Sequence, residues 1–335
     1  MDRIKGLREY VESRPFREGM GIPAGAPVFC RPLAQGEYNI NYVFRHPETG
    51  KKLVLRVNTG SQMHLERQID YEYGALKLLE GSGRTPAPFY VDGSRERLDY
   101  GVMVMEFLEG TSLDYKKDLE QAAECLADIH SVPVSRQNGL ICPENPLQAI
   151  VDECGEMAEV YFHSELGTPG NKKEIEKMLL LGRKKAEDAK GYQGYRCCIN
   201  TELNSGNFLM NGAGRPGYLV DWEKPLYGDP AQDLGHFLAP TTTFWKTDVI
   251  LGQDQMEGFV KTYRKAVRER FDTKGLEERL RLFVPVTCLR GITWCAMAWV
   301  GYQKEERLIR NGDTFRKIEA YLEDGFLREI RERYL

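Results

Sequence analysis

The chain has 335 residues, of which 41% are hydrophobic and 29% charged, and its formal net charge is −4. This composition is ordinary for a globular protein and excludes a largely disordered chain. The acidic balance offers no basic surface for a nucleic-acid backbone. The charged N-terminus is unlike a signal peptide, and we expect no apolar run of the roughly 18 residues that cross a membrane. We therefore expect a cytoplasmic protein without nucleic-acid or membrane partners, and its oligomeric state stays open.

The first third of the chain carries the patterns of an antiparallel sheet with one helix. A short helix is predicted over residues 3–13, followed by a Gly/Pro-rich linker over 19–27. A 3.6-residue apolar period predicts a second helix over 64–80, ended by Gly81. Alternating, β-branched and apolar residues bounded by turn residues predict strands at 35–44, 52–57, 89–91 and 101–105.

The rest of the chain is mostly helical by the same criteria. Amphipathic or apolar patterns predict helices at 118–130, 150–162, 172–189, 256–271 and 276–299. Short strand-like runs separated by turns lie between residues 196 and 221. Strands first and helices later favour an α+β fold with two lobes. We place the nucleotide-binding N-terminal lobe at 1–106, and the helical lobe with the acceptor pocket at 107–335.

Three polar residues stand at a spacing that suits phosphoryl transfer. Glu202 precedes Asn207 by five positions, and after a strand and a turn Asp221 ends the next strand. Phosphoryl transfer needs a carboxylate that orients the acceptor, oxygen ligands for Mg²⁺ and positive charge near the phosphates. Glu202 is the candidate for the first task, and Asn207 with Asp221 for the second.

This segment resembles the catalytic loop and metal-binding strand of the aminoglycoside phosphotransferase/choline kinase-like family. The family pattern H-G-D-x-x-x-x-N followed by D-W-E is matched at Asn207 and at Asp221, and G-D-P-x-x-D-L at Asp229 and Asp233. The resemblance implies a protein-kinase-like fold. It also implies that Asn207 and Asp221 bind Mg²⁺, that Glu202 is the catalytic carboxylate, and that Asp233 ties the loop to the following helix.

The N-terminal part matches the family as well, so that residues 30–300 are covered in the right order. Arg56 resembles the basic residue that contacts the nucleotide phosphates, and Glu72 the helix glutamate that pairs with it. Backbone groups of Glu106 and Leu108 resemble the hinge that holds adenine. Asn39 lies in a candidate phosphate-covering loop, for which a polar hairpin tip is the alternative. The implied nucleotide is ATP, with GTP as a second option.

The catalytic loop departs from the family in having Asn200, Thr201 and Glu202 where His-Gly-Asp is usual. We predict an active ATP-dependent, Mg²⁺-assisted kinase whose acceptor is a small-molecule hydroxyl of an aminoglycoside-, choline- or sugar-like compound. The alternative from another class is a nucleotide- or metabolite-binding pseudokinase acting as a sensor or scaffold. A third reading, an unrelated α+β protein, predicts that no cleft unites residues 56, 72, 207 and 221.

Side chains outside these motifs carry weaker expectations. His130 follows an apolar helix face and is predicted to be a structural hydrogen-bonding residue, and His236 to pack in the interior. Helices at 150–189 and 248–299 are predicted to line the acceptor pocket. Trp294, Trp299 and Tyr302 are candidates for its wall, although core packing is the more common role of such residues.

Overall fold

Five antiparallel strands form the N-terminal sheet in the computed structural model, which describes residues 4–36, 38–61, 63–189, 194–303 and 312–335. The strand order is β1-β2-β3-β5-β4. Register is continuous between β2 and β3, where Asn41 pairs with Arg56. The strands are β1 Arg31–Gln35, β2 Asn39–Arg45, β3 Lys52–Asn58, β4 Pro88–Asp92 and β5 Gly101–Glu106.

The two faces of this sheet pack against different partners, because successive side chains of a strand alternate. On one face Leu53 and Leu55 belong to an apolar cluster with residues of the two N-terminal helices. On the other face Val54 and Met103 join a second cluster with the helix α3, Gln68–Leu79, and with the helical part of the chain. Arg56 of β3 points to this second face, like Val54, because it lies two residues further along the strand.

The N-terminal helix predicted over 3–13 is shorter in the structure and is followed by a second helix. α1 spans Leu7–Glu12 and α2 spans Arg14–Met20, within which Pro15 occupies the first turn. Proline cannot continue a preceding helix, since it lacks the N–H and clashes with the previous turn. Because α2 continues to Met20, the predicted linker begins only after that residue. Residue 3 lies outside the described part of the chain.

The C-terminal part is built from helices with two small sheets beside them. The helices are α4 Leu119–His130, α5 Pro146–Phe162, α6 Pro169–Asp188, α7 Pro230–Leu238, α8 Pro240–Lys246, α9 Gln253–Val267, α10 Leu276–Gln303, α11 Gly312–Tyr321 and α12 Asp324–Tyr334. The short strands are β6 Thr111–Ser112, β7 Cys197–Ile199, β8 Phe208–Met210, β9 Tyr218–Leu219 and β10 Leu226–Gly228. β10 pairs with β7, and β8 lies between β6 and β9. The predicted α+β class is confirmed.

Helix α10 is the central helix of this part and packs against α5 and α7. By length and composition it could cross a membrane, but 72% of its most apolar window is buried inside the protein. The expectation that no segment reaches that length and apolarity was wrong on this measure. Burial of this extent is typical of a core helix.

Candidate functional site

The loop that carries Glu202 is anchored to α7 by a buried carboxylate. Asp233 accepts the backbone N–H groups of Asn200 and Thr201, both at 2.8 Å. Its Oδ2 also lies 3.2 Å from Nε2 of His130, whose Nδ1 lies 2.9 Å from the Tyr263 hydroxyl. Asp233 and His130 therefore hold the loop in place, which confirms the structural roles predicted for both.

Asn200 and Thr201 replace the usual His-Gly pair with a different set of contacts. Asn200 accepts the N–H of Glu202 at 3.0 Å and donates to the carbonyl of Asp221 at 2.9 Å. Thr201 has a φ of 69°, a left-handed conformation that strains a β-branched residue by roughly 1–3 kcal/mol. Its hydroxyl donates to the carbonyl of Lys224 at 2.8 Å and offsets part of that strain.

Glu202, Asn207 and Asp221 are brought together mainly through the backbone. The Asn207 amide donates to the Glu202 carbonyl at 2.7 Å, which leaves its side-chain oxygen to act as an acceptor. The Asn207 carbonyl accepts the N–H of Val220 at 2.8 Å, directly before Asp221. This backbone hydrogen bond makes the Asn207 and Asp221 segments neighbours.

Arg56 links the sheet to this centre. Its guanidinium contacts the carboxylate of Glu72 on α3 and donates to Asp221 Oδ1 at 3.1 Å. Burial by itself would lower the pKa of Arg56, but Glu72 and Asp221 outweigh burial and raise it. Residues 56, 72 and 221 therefore meet in one cleft with the Asn207 segment. This excludes the third reading, that of coincidental motifs.

Asn39 also reaches the C-terminal part, through Glu223. Its side-chain amide contacts the Glu223 carboxylate, and its oxygen accepts from Asn58 at 3.0 Å. Burial first, and then the charges of Asp221 and Glu202, raise the pKa of Glu223 to about 8. Both ends of the Asn39 amide are occupied, so its contact with a phosphate stays a prediction. Glu223 was missed as a site residue, although it completes the D-W-E motif.

The predicted hinge lies at the end of β5. The backbone N–H of Glu106 donates to the Ala87 carbonyl at 2.8 Å, and Phe107 donates to Lys52 at 3.3 Å. Leu108 follows, half-buried. These contacts fix the course of the chain through residues 106–108, while the adenine-binding role of Glu106 and Leu108 stays a prediction.

The donor set at Asn207 and Asp221 fits a magnesium ion that arrives with a nucleotide. Mg²⁺ is usually held by one or two protein oxygens, by phosphates and by waters. The described residues contain no group of three or more His, Cys, Asp or Glu arranged to hold a metal without such help. The Asp221 side chain is 32% exposed, so it is accessible from the cleft.

A cavity of about 550 Å³ opens beside Glu202, Asp221 and Glu223. Most of its wall comes from α10 and α8, including Trp294 and Trp245, with one residue from α5. Trp294 therefore lines the cavity, whereas Trp299 stacks on Phe315. Of the helices predicted to line the acceptor pocket, α5 and α10 contribute to this wall, whereas α6 and α9 contribute none of their described residues.

Arg290 is a second residue that the sequence reasoning missed. It lies on α10, lines the cavity, and places Nη2 at 3.7 Å from Oε1 of Glu202. A charge inside the apolar run of α10 was the available signal, because a partly buried charge requires a partner.

The cleft therefore has the parts of a kinase-like phosphotransferase, and comparison with known proteins agrees. A family model described as "Phosphotransferase enzyme family" (APH) matches residues 30–273. The chain belongs to this family, and its class is that of the small-molecule phosphotransferases. A search of curated protein sequences gives no match.

Solved structures of this class share the fold at low sequence identity. A putative aminoglycoside phosphotransferase from Ralstonia eutropha is 14% identical, with a TM-score of 0.67 and 98% coverage of both chains. Choline kinase from Cryptosporidium parvum is 11% identical, with a TM-score of 0.65, over 98% of this chain and 96% of that one. Spectinomycin phosphotransferase APH(9)-Ia in complex with ADP and spectinomycin is 13% identical, with a TM-score of 0.60, over 92% and 94%. These similarities confirm the predicted protein-kinase-like fold.

Proposed function

We propose that this protein transfers the γ-phosphoryl group of ATP to a hydroxyl group of a small molecule. The observation that carries the proposal is that Glu202 and Asp221 line one cavity of about 550 Å³, and that Arg56 pairs with Asp221. The ADP in the spectinomycin phosphotransferase complex supports ATP as the donor. Catalysis in this reaction class consists of positioning and electrostatic stabilisation, which this arrangement can supply.

Each residue has a distinct task in the proposed reaction. Glu202 accepts a hydrogen bond from the acceptor hydroxyl and orients it towards the phosphorus. Arg56, fixed by Glu72, binds the phosphates of the nucleotide. Asn207 and Asp221 would hold Mg²⁺, which neutralises charge on the phosphates. The hinge at Glu106 and Leu108 receives the adenine.

The cavity wall favours an acceptor with a largely apolar body. The volume of the cavity is within the range of small-molecule sites. Aromatic and apolar side chains form much of the wall away from the catalytic end. These are Val160, Trp245, Trp294, Met297 and Val300. The acidic residues among the described lining are Glu202, Asp221 and Glu223, all beside the proposed phosphoryl-transfer centre. A polycationic acceptor would lack carboxylate partners along the rest of the wall.

A transfer screen tests this function. The protein is incubated with ATP, Mg²⁺ and a library of hydroxylated metabolites and antibiotics, and phosphorylated product is detected by mass spectrometry. We expect product with an uncharged or singly charged acceptor, and none from Asp221→Ala. Asp254→Ala, which alters an exposed carboxylate at the start of α9, is the matched control and should keep full activity.

Two outcomes would contradict the proposal. Full transfer by Asp221→Ala would remove the metal-binding role from that residue. Absence of product from the unmodified protein across the library would favour the pseudokinase, which the replacement of His-Gly-Asp by Asn200, Thr201 and Glu202 first suggested.

A further inference from the structure

Four charged side chains form a cluster directly behind the catalytic loop. The Arg290 cluster consists of Glu153 on α5, Glu202, Lys224 and Arg290. Arg290 Nε donates to Glu153 Oε2 at 2.9 Å, and Nη2 lies 3.3 Å from Glu153 Oε1. Lys224 Nζ lies 3.3 Å from the same Oε1. The cluster therefore connects two helices to the loop segments on either side of Asp221.

Glu153 holds the guanidinium of Arg290 in one orientation. Two nitrogens of the planar group meet the two oxygens of one carboxylate, an arrangement that fixes direction as well as distance. Burial alone would raise the pKa of Glu153, but Arg290 and Lys224 outweigh burial and lower it to about 2. Glu153 is thus charged at neutral pH, and it anchors Arg290 through Nε and through Nη2, the nitrogen that also faces Glu202.

The guanidinium of Arg290 also faces the carboxylate of Glu202. Its Nη2 lies 3.7 Å from Glu202 Oε1, and the two side chains are 16% and 23% exposed, so solvent screens their attraction only in part. The backbone of Glu202 is held by Asn200 and Asn207. The side chain, however, has one more rotatable bond than the aspartate that it replaces, and this added freedom must be restricted for a defined carboxylate position.

We propose that Arg290 is a positioning residue that holds the Glu202 carboxylate at the catalytic end of the cavity. Glu153, itself paired with Lys224, fixes Arg290 in turn. This inference rests on the proposed phosphotransferase function. The positioning role of Arg290 explains how the carboxylate of a glutamate, which is longer than the usual aspartate, is kept at a defined place beside the acceptor hydroxyl. A displacement of about 1 Å at such a group costs on the order of 100-fold in rate.

A double-mutant cycle tests the proposal with the acceptor found in the screen. We expect Arg290→Gln to lower kcat by roughly 10- to 100-fold and to leave the KM for ATP within about twofold. In a Glu202→Gln background the same change should lower kcat by less than about threefold, because the carboxylate that it positions is already lost. Arg290→Lys retains the charge without the planar fork and should recover part of the rate.

Arg84→Gln is the matched control. Arg84 contacts Asp128 at 2.7 Å, and the two side chains are 17% and 30% exposed, close to the values for Arg290 and Glu153. This pair lies away from the described cavity lining. We expect a lowered melting temperature and an unchanged kcat. If Arg290→Gln does not fold, Arg290→Lys and its own cycle with Glu202→Gln provide the same comparison.

Failure of the positioning role and failure of the proposed phosphotransferase function give different results. Equal loss of kcat in both backgrounds, or no loss from Arg290→Gln, rejects the positioning role and leaves the phosphotransferase function intact. Absence of transfer by the unmodified protein rejects the proposed function, and the role of Arg290 with it.

Discussion

His236 contacts the loop that carries Glu202, since its Nδ1 accepts the backbone N–H of Leu203 at 3.1 Å. This contact requires that Nδ1 carry no proton. Burial, reinforced by the positive charges of Arg290 and Lys224, lowers the pKa of His236 from 6.5 to about 3. The neutral ring is therefore part of what fixes the residue after Glu202.

The lowered pKa of His236 predicts a loss of stability in acid. Between pH 6.5 and about 3 the unfolded chain binds a proton at His236 and the native protein does not, so the free energy of unfolding falls as pH falls. The slope from this residue approaches about 1.4 kcal/mol per pH unit. His236→Asn offers an oxygen near the position of Nδ1 and should show a shallower slope in urea unfolding at several pH values. Equal slopes for the two proteins would contradict this explanation.

The meeting of the central candidate residues could be predicted because each stands in a local pattern. Glu202, Asn207 and Asp221 have the spacing of the family motif, and Arg56 and Glu72 occupy a strand and the next helix in the expected order. The partners that position them follow no such rule. Glu153 and Arg290 lie on helices far apart in sequence, and only the packing of α5 against α10 brings them together.

Helix α7 organises the loop through its first two turns. Asp229 caps the helix by accepting the N–H of Ala231 at 2.6 Å, and it also pairs with Arg279 at 2.8 Å. Asp233, one turn later and fully buried, accepts the N–H groups of Asn200 and Thr201 in the loop that carries Glu202. The orientation of α7 therefore sets the position of Glu202.

Asp233→Ala should destabilise the protein by roughly 3 kcal/mol or more, since two buried N–H groups lose their acceptor. Transfer activity should also fall, because the loop is released. Asp233→Asn keeps one oxygen acceptor and should lie between the two proteins in both respects. The free energy of unfolding from urea titrations checks the order, and an Asp233→Ala protein as stable as the unmodified one would contradict it.

The long helices were predictable, and several of the short ones were not. α4, α5, α6, α9 and α10 appear close to their predicted bounds, even though Pro285 lies inside α10. α2 and α8 have seven residues each, too few to be stable without tertiary packing, so their sequences carry little periodic signal. α11 and α12 are short and rich in charge, and they too were missed.

In the whole molecule, polar contacts cross between the sheet and the helical part at the cleft. Arg56 reaches Asp221, Asn39 reaches the Glu223 side chain, and Gln68 donates to the Glu223 carbonyl at 2.6 Å. The apolar cluster of the helical part also includes Val54 and Met103 of the sheet. The lobe boundary between residues 106 and 107 stays a prediction. The site depends on residues from both sides of it, which is the feature that unites the fold with the proposed chemistry.

The rate of phosphoryl transfer by Glu202→Gln tests the central claim most directly. Glutamine keeps the size of the side chain and its hydrogen-bonding capacity but removes the charge that would orient and deprotonate the acceptor hydroxyl. At saturating ATP, Mg²⁺ and acceptor we predict a kcat at least about 100-fold lower than that of the unmodified protein, with the KM for ATP little changed. A kcat for Glu202→Gln equal to that of the unmodified protein would contradict the assignment of Glu202 as the catalytic carboxylate.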